Sequence, residues 1–239
     1  MRIRDLPLPN ALIDLLEEKG YVDLYPPQEE AVKRGVLQGT NVLLTTPTAS
    51  GKTLVAIIAA GKRILEDGGK MVYLTPLRAL AAEKYEEFKM LEVLTKSDGS
   101  HIKVHISTGD YDSPGEFLKD GDLIVLTNER FDSILRHGAS WIEDVKLYVA
   151  DEVHLVGLPR RGPTLESILT KIRTFSPESQ IIGLSATITN GDTIAKWLGA
   201  ELINIEWRPV KLIEGVWDHG RIIYADGRTK TVKSTGRGA

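Results

Sequence analysis

Cysteine is absent from the 239-residue chain, which excludes disulfides, thiolate metal sites and cysteine nucleophiles together. The same absence fits a reducing cytoplasm, the compartment expected here. Aromatic residues make up only 6% of the chain, so its core has to be mainly aliphatic. Glutamine occurs only as Gln28, Gln38 and Gln180, and a scarcity of heat-labile residues suits a hot-living source. No apolar run approaches the length that spans a bilayer, and the opening MRIRDLPLPN has no signal-peptide core. Positive charge is not in excess either, since 30 basic and 33 acidic residues give a net charge of −3. A protein that holds nucleic acid on a broad basic face is usually more positive. Any such contact here has to be local and to use backbone amides.

What the chain does have is alternation. Short, mostly apolar runs at 41–46, 71–75, 103–107, 123–127, 146–150 and 180–185 read as strands covered on both faces. Helical stretches fit around and between them at 28–38, 52–66, 77–94, 129–136, 164–175 and 192–198. This order predicts an α/β fold, a parallel sheet with helices on both sides. After Trp207 the pattern changes, and 210–233 reads as short antiparallel strands with Asp226-Gly227 as a hairpin turn. One domain is therefore expected over 1–207 and a separate piece over 208–239, whose ending has nothing to bury and should fray. Seven basic residues lie beyond Trp207 against three acidic ones. A solvated tail, or the start of a further domain, accounts for them more simply than a nucleic-acid arm.

The strongest signal is Thr46-Pro47-Thr48-Ala49-Ser50-Gly51-Lys52-Thr53, which follows the first strand run and opens a helix at Lys52. A phosphate-binding loop requires that context. Small residues at Thr48, Ala49, Ser50 and Gly51 let backbone N–H groups converge on phosphate oxygens, and the helix N-terminus adds partial positive charge. Lys52 is placed to meet the β and γ phosphates of ATP, and Thr53 to hold Mg²⁺ through its hydroxyl.

Asp151-Glu152-Val153-His154 comes straight after the run 146–150. Parallel sheets gather their ligand sites at the carboxyl ends of strands, so this strand end can face the phosphate loop. Asp151 then holds Mg²⁺, usually through a metal-bound water, and Glu152 polarises the attacking water as general base. On its own, an acidic pair after a strand is most simply a solvated loop. The phosphate loop makes the catalytic reading the better one. His154 has no second histidine or thiolate beside it, so it is no metal ligand. Its place next to the carboxylates puts it with the catalytic set, in a coupling role.

These motifs resemble those of the DExH group of superfamily two helicases, and further motifs follow in that group's order. Tyr25-Pro26-Pro27-Gln28 resembles the upstream adenine-reading motif, which puts Gln28 on the base. Thr75-Pro76-Leu77-Arg78-Ala79-Leu80 resembles the first strand-gripping motif, and Thr127-Asn128-Glu129-Arg130-Phe131-Asp132 the second. Ser185-Ala186-Thr187 resembles the motif that couples hydrolysis to strand movement, through Ser185 and Thr187. Thr46 stands where the strict phosphate-loop pattern has glycine, a relaxation that helicases share. The longer stretches Pro-Leu-Arg-Ala-Leu-Ala-Ala-Glu-Lys-Tyr, Ser-Thr-Gly-Asp-Tyr-Asp-Ser, Arg-His-Gly-Ala-Ser-Trp-Ile and Glu-Trp-Arg-Pro-Val-Lys-Leu are similar to the archaeal Hjm repair helicases. Those are in turn similar to the Ski-type RNA helicases of eukaryotes. The resemblance covers essentially the whole chain, with a mild departure at Val153. It implies a RecA-like three-layer fold of the P-loop NTPase kind, with ATP and Mg²⁺ as cofactors. It also implies forked or single-stranded DNA as the partner, bound without regard to sequence and travelled 3′ to 5′ in repair and replication restart.

Each gripping motif lies where a strand gives way to a helix, so free amides can hold backbone phosphates. Thr75, Pro76, Arg78, Ala79, Thr127 and Asn128 are expected to line that contact. Arg78 adds charge, and Thr75 and Thr127 offer hydroxyls. Such contacts read no bases, so an RNA helicase of the Ski-like group stands as one alternative. A nucleotide-binding interaction module without turnover is another, opposed by intact Lys52, Asp151 and Glu152. The family's second RecA-like domain, with its arginine finger, has no motif among these residues. The chain by itself is therefore expected to be a nearly inactive ATP hydrolase.

Overall fold

The computed structural model describes residues 1–109 and 115–231. Asp110 and Tyr111, which carry part of the archaeal likeness, lie outside the described residues, as does the ending expected to fray. The chain divides into two compact units, Met1–Trp207 and Arg208–Ala239.

Met1–Trp207 is built on one sheet. Its strands are β1 (Val42–Thr45), β2 (Lys70–Thr75), β3 (Val104–Ser107), β4 (Leu123–Thr127), β5 (Val145–Ala150), β6 (Gln180–Ser185) and β7 (Glu201–Asn204). They run in the order β3-β4-β2-β5-β6-β1-β7, every neighbour parallel. All residues of β1, β4 and β6 are buried, as strands covered on both faces must be, and this is why their sequences are runs and not alternations.

Helices close both faces: α1 (Asn10–Glu18), α2 (Pro26–Lys33), α3 (Lys52–Asp67), α4 (Arg78–Phe88), α5 (Asn128–His137), α6 (Gly162–Phe175) and α7 (Gly191–Leu198). One core packs Leu12, Leu16, Ile57 and Phe88 against the sheet, and the other packs Phe131, Trp141, Leu165 and Leu198. The layering is RecA-like, as expected. Helix α1 comes so close to α3 that a Cβ on Gly61 would lie 2.8 Å from Leu12 Cδ2.

The structure corrects four details of the sequence reading. The helix expected over 28–38 stops at Lys33, because Gly35 turns left-handed (φ 86°), and a separate 3₁₀ turn, Val36–Gln38, follows. The helix expected over 77–94 ends at Phe88 and tightens into the 3₁₀ stretch Lys89–Val93. Helix α1 and strand β7 were not anticipated. β7 is an edge strand with only Ile203 buried, so it offers no apolar run to read.

Arg208–Ala239 contains β8 (Gly215–Asp218), β9 (Arg221–Tyr224) and β10 (Thr229–Thr231), an antiparallel sheet in the order β10-β9-β8. His219 and Gly220, both left-handed (φ 42° and 83°), make the first turn. Asp226-Gly227 makes the second, as read. There the Tyr224 N–H donates to the Arg228 carbonyl (2.8 Å), and the Asp226 carboxylate accepts from Arg228 N (3.1 Å) and Nε (2.7 Å). Among the described residues no helix is long and apolar enough to cross a membrane.

Candidate nucleotide-binding site

Seven parallel strands end on one rim, so the turns that follow them share it. The turns after β1, β2, β4, β5 and β6 carry residues 46–51, 75–77, 127–128, 151–154 and 185–187 in that place. β6 lies between β1 and β5. Its last residue, Ser185, accepts a hydrogen bond on its carbonyl from the Thr46 N–H at 3.2 Å. The phosphate loop is thereby tied to the strand that carries the coupling motif.

The loop itself is held in a shape that small residues permit. Ala49 and Gly51 are left-handed (φ 64° and 75°), a conformation that turns successive amides inward. Buried Thr46 and Ser50 join their hydroxyls beneath the loop. A Cβ on Gly51 would stand 2.5 Å from the Gln28 amide nitrogen. Lys52 opens α3 and donates to the carbonyls of Thr46 (3.1 Å) and Pro47 (3.2 Å). Burial pushes its ammonium below the ordinary lysine pKa. The charges of Asp151 and Glu152 work against that shift, and Lys84 adds to it.

Asp151 is buried at the end of β5, where its N–H donates to the Leu74 carbonyl of neighbouring β2 at 2.8 Å. Its Oδ1 accepts from the Glu152 N–H at 2.9 Å, and its Oδ2 from the Tyr73 hydroxyl at 2.7 Å. Burial, with the charge of Asp151, raises the Tyr73 pKa well above the ordinary tyrosine value, so that hydroxyl stays a donor. Glu152 is left-handed (φ 55°), and a left-handed non-glycine at this position is the kind of backbone strain that functional sites hold. His154 Nδ1 lies 3.1 Å from Glu152 Oε2, without the alignment of a hydrogen bond.

Two cavities meet at Gly51 and Thr53. One of about 300 Å³ is lined by Thr48, Ser50, Lys52, Lys84, Asp151 and Glu152. The other, of about 500 Å³, is walled by Tyr21, Val22, Tyr25, Gln28, Leu54 and Ile57. The first suits phosphates through the ammonium groups of Lys52 and Lys84, and a hard cation through its hydroxyl and carboxylate oxygens. The second suits a flat base. Tyr25 in its wall packs on Trp207, ring centroids 4.5 Å apart. Gln28 is buried with its Oε1 accepting from the Tyr25 N–H (2.7 Å) and its Nε2 donating to the Gly51 carbonyl (2.8 Å). A primary amide has two acceptor and two donor positions, so one of each is left, the pair an adenine edge needs.

The gripping motifs are placed less simply. Thr75, Pro76, Thr127 and Asn128 are buried, with Thr75 opposite Thr127 in the sheet register, and Leu77, Arg78 and Ala79 are exposed. Thr75 and Thr127 therefore do not present hydroxyls on the surface. What the first motif offers outward is Arg78, Ala79 and the amides of the first turn of α4, which have no acceptor within the helix. At the second, the exposed residue is Glu129. Asp132 belongs to the packing, bridging α5 to Lys171 of α6 at 2.7 Å. Ser185 is buried, its Oγ without a partner among the described residues, and Thr187 is exposed. Sequence reading missed Tyr73 and Lys84. A signal existed for Tyr73, because a phenol flanked by apolar residues inside a strand needs a partner.

Comparison with known proteins gives the family and the fold. The DEAD/DEAH box helicase model matches residues 25–194. The ATP-dependent DNA helicase Hel308 of Thermococcus kodakarensis is 51% identical over 228 residues, covering 95% of this chain and 20% of that protein. The protein of the same name from Pyrococcus horikoshii is 49% identical, covering 98% of this chain and 32% of its own length. The chain thus spans about a fifth to a third of these relatives. Among solved structures, the DUF1998 helicase MrfA superposes with a TM-score of 0.67 at 25% identity, covering 83% of this chain and 33% of that one.

Proposed function

The chain belongs to the DEAD/DEAH box helicase family, and from that premise we propose that it is the ATP-binding motor domain of an ATP-dependent DNA helicase. Its track is forked or single-stranded DNA, travelled 3′ to 5′ in repair and replication restart. One observation carries the proposal: the phosphate loop and the Asp151-Glu152 pair line the same cavity of about 300 Å³. Likeness over 95–98% of the chain to proteins named as DNA helicases supports DNA over RNA as the track.

The roles follow from position. Gln28 holds the adenine edge with its remaining donor and acceptor. The amides of Thr48–Gly51 cradle the phosphates, and Lys52 turns from the loop carbonyls to the β and γ phosphates. Thr53 and Asp151 would hold Mg²⁺, which would supply positive charge against the phosphates. Glu152 accepts the proton of the attacking water, and His154 beside it relays the state of that carboxylate. Arg78, Ala79 and the first amides of α4 take backbone phosphates without reading bases.

Calorimetry with Mg²⁺-ATP tests the proposal at its centre. Lys52→Ala removes the ammonium that meets two phosphates, and charge-assisted hydrogen bonds of this kind put the expected loss at about a hundredfold or more. Unchanged affinity would remove the phosphate-cradle assignment.

A further inference from the structure

Tyr73 and Lys84 touch the two residues assigned to Mg²⁺. Tyr73 lies within β2, 0% exposed, with its hydroxyl on Asp151 Oδ2 at 2.7 Å. Lys84 lies on α4, 8% exposed, and donates to Thr53 Oγ1 at 3.1 Å, to Glu83 at 3.0 Å and to Glu87 at 2.9 Å. Its three protons are all used. Asp151 is thus held at both oxygens, by Glu152 N–H on one side and Tyr73 on the other. Its carboxylate plane is fixed, and with it the direction of the lone pairs that remain. The Thr53 hydroxyl gives one lone pair to Lys84 and keeps the other. Outer partners of this kind set the orientation of metal ligands.

The setting counts here because the site is sparse. Among the described residues no group of three or more His, Asp or Glu could hold a metal ion. Mg²⁺ needs the nucleotide's phosphates to complete its shell, and two protein ligands have to be aimed before it arrives.

Both positioning side chains sit in one segment. β2 ends at Thr75 and α4 begins at Arg78, so the turn over 75–79 lies between Tyr73 and Lys84. Lys84 is six residues beyond Arg78, about 9 Å along the same helix. Asp151 and Thr53 therefore each touch a side chain that lies to one side of that turn.

We propose that Tyr73 and Lys84 are positioning residues of the metal–phosphate site, and that by bracketing the turn 75–79 they couple it to Mg²⁺-nucleotide binding. The inference rests on the nucleotide reading above. Its test uses the 239-residue chain with Tyr73→Phe, and with Lys84→Met made together with Glu87→Gln so that local charge is kept. ADP is titrated calorimetrically in Mg²⁺ and in EDTA, and amide hydrogen exchange is followed at residues 77–80. Expected is a loss of about tenfold in Mg²⁺ for each variant, the lower end of what outer-partner changes cost a metal site, with unchanged affinity in EDTA for Tyr73→Phe and a smaller loss in EDTA than in Mg²⁺ for the Lys84 variant, whose ammonium also lines the phosphate cavity. Mg²⁺-ADP should slow exchange at 77–80 in the wild type and in neither variant. Equal losses in Mg²⁺ and EDTA overturn the positioning role. Protection that persists in the variants, or is missing from the wild type, overturns the coupling. A wild type that binds ADP in neither condition fails earlier, at the nucleotide reading, and the inference falls with it.

Discussion

The two rims of the same parallel sheet treat their polar groups differently. At the amino rim three polar side chains, Asn41, Ser179 and Gln180, are paired within the protein. Gln180 Nε2 donates to the carbonyls of Val36 (2.8 Å) and Thr40 (2.9 Å), Asn41 Oδ1 accepts from Ile181 N–H (2.7 Å), and Ser179 Oγ donates to the Val145 carbonyl (2.7 Å). At the carboxyl rim the protein leaves bonds unmade. Six buried side-chain polar atoms lack a partner among the described residues, and four of them, on Thr75, Asn128, His154 and Ser185, end or follow strands there. The two left-handed non-glycine residues among the described residues of Met1–Trp207, Ala49 and Glu152, are on that rim as well. Unmet polar atoms and backbone strain each cost stability. One rim is therefore arranged for the fold and the other for what binds to it, and substitutions on the two should have opposite consequences.

The largest expected effect comes from giving the carboxyl rim more of its partners. The 239-residue polypeptide alone should hydrolyse ATP very slowly, because charge developing on the γ-phosphoryl oxygens has nothing to meet it from the open side. Supplying a relative's second RecA-like domain in trans should raise the rate by about 10³–10⁵, the usual worth of an arginine finger, and make it depend on single-stranded DNA. A full rate from the polypeptide alone, abolished by Glu152→Gln, would show that this rim is already complete. On the other rim, Gln180→Ala strands two carbonyls and should cost about 2 kcal/mol in urea unfolding while leaving Mg²⁺-ATP affinity alone. A loss of affinity there would erase the contrast. Smaller is the preference for ATP over GTP, about tenfold from one mismatched amide pairing at Gln28; equal binding takes Gln28 out of the site. Smallest is Ser185→Ala, which removes a buried hydroxyl with no partner and should raise stability by up to about 1 kcal/mol. A measured loss would mean that Ser185 Oγ is bonded in the folded protein.

The parallel core was legible because strands buried on both faces must be apolar runs, and turns such as 46–53 and 151–154 together carry residue types that suit phosphate and metal chemistry. Edge strand β7 was not legible, because one buried residue makes no pattern. The breaks at Lys33 and Phe88 depended on left-handed Gly35 and on a tightened last turn, neither of which interrupts the apolar spacing. At the candidate site, sequence order picked out 46–53 and 151–154, whose residues the structure brings to one cavity. It could not say that Thr75 and Thr127 face each other inside the sheet, because register between strands 52 residues apart (127 − 75) is a tertiary fact. Lys84 was hidden for the same reason, since its partner Thr53 lies 31 residues away on another helix.

Strand order also has a consequence for how the chain is made. β1, which carries the phosphate loop, pairs only with β6 and β7. Val42 faces Ile182, so 140 further residues (182 − 42) must be synthesised before it has its first neighbour. At about 5–20 residues per second that is about 7–28 s. For that time an apolar strand, Val-Leu-Leu-Thr, has unpaired edges on the ribosome, while β2, β3, β4 and β5 can already assemble beside one another. Ribosomes that stall before β6 would release chains with most of a sheet and no cradle, and such chains should be the ones that chaperones hold and that aggregate when chaperones are scarce.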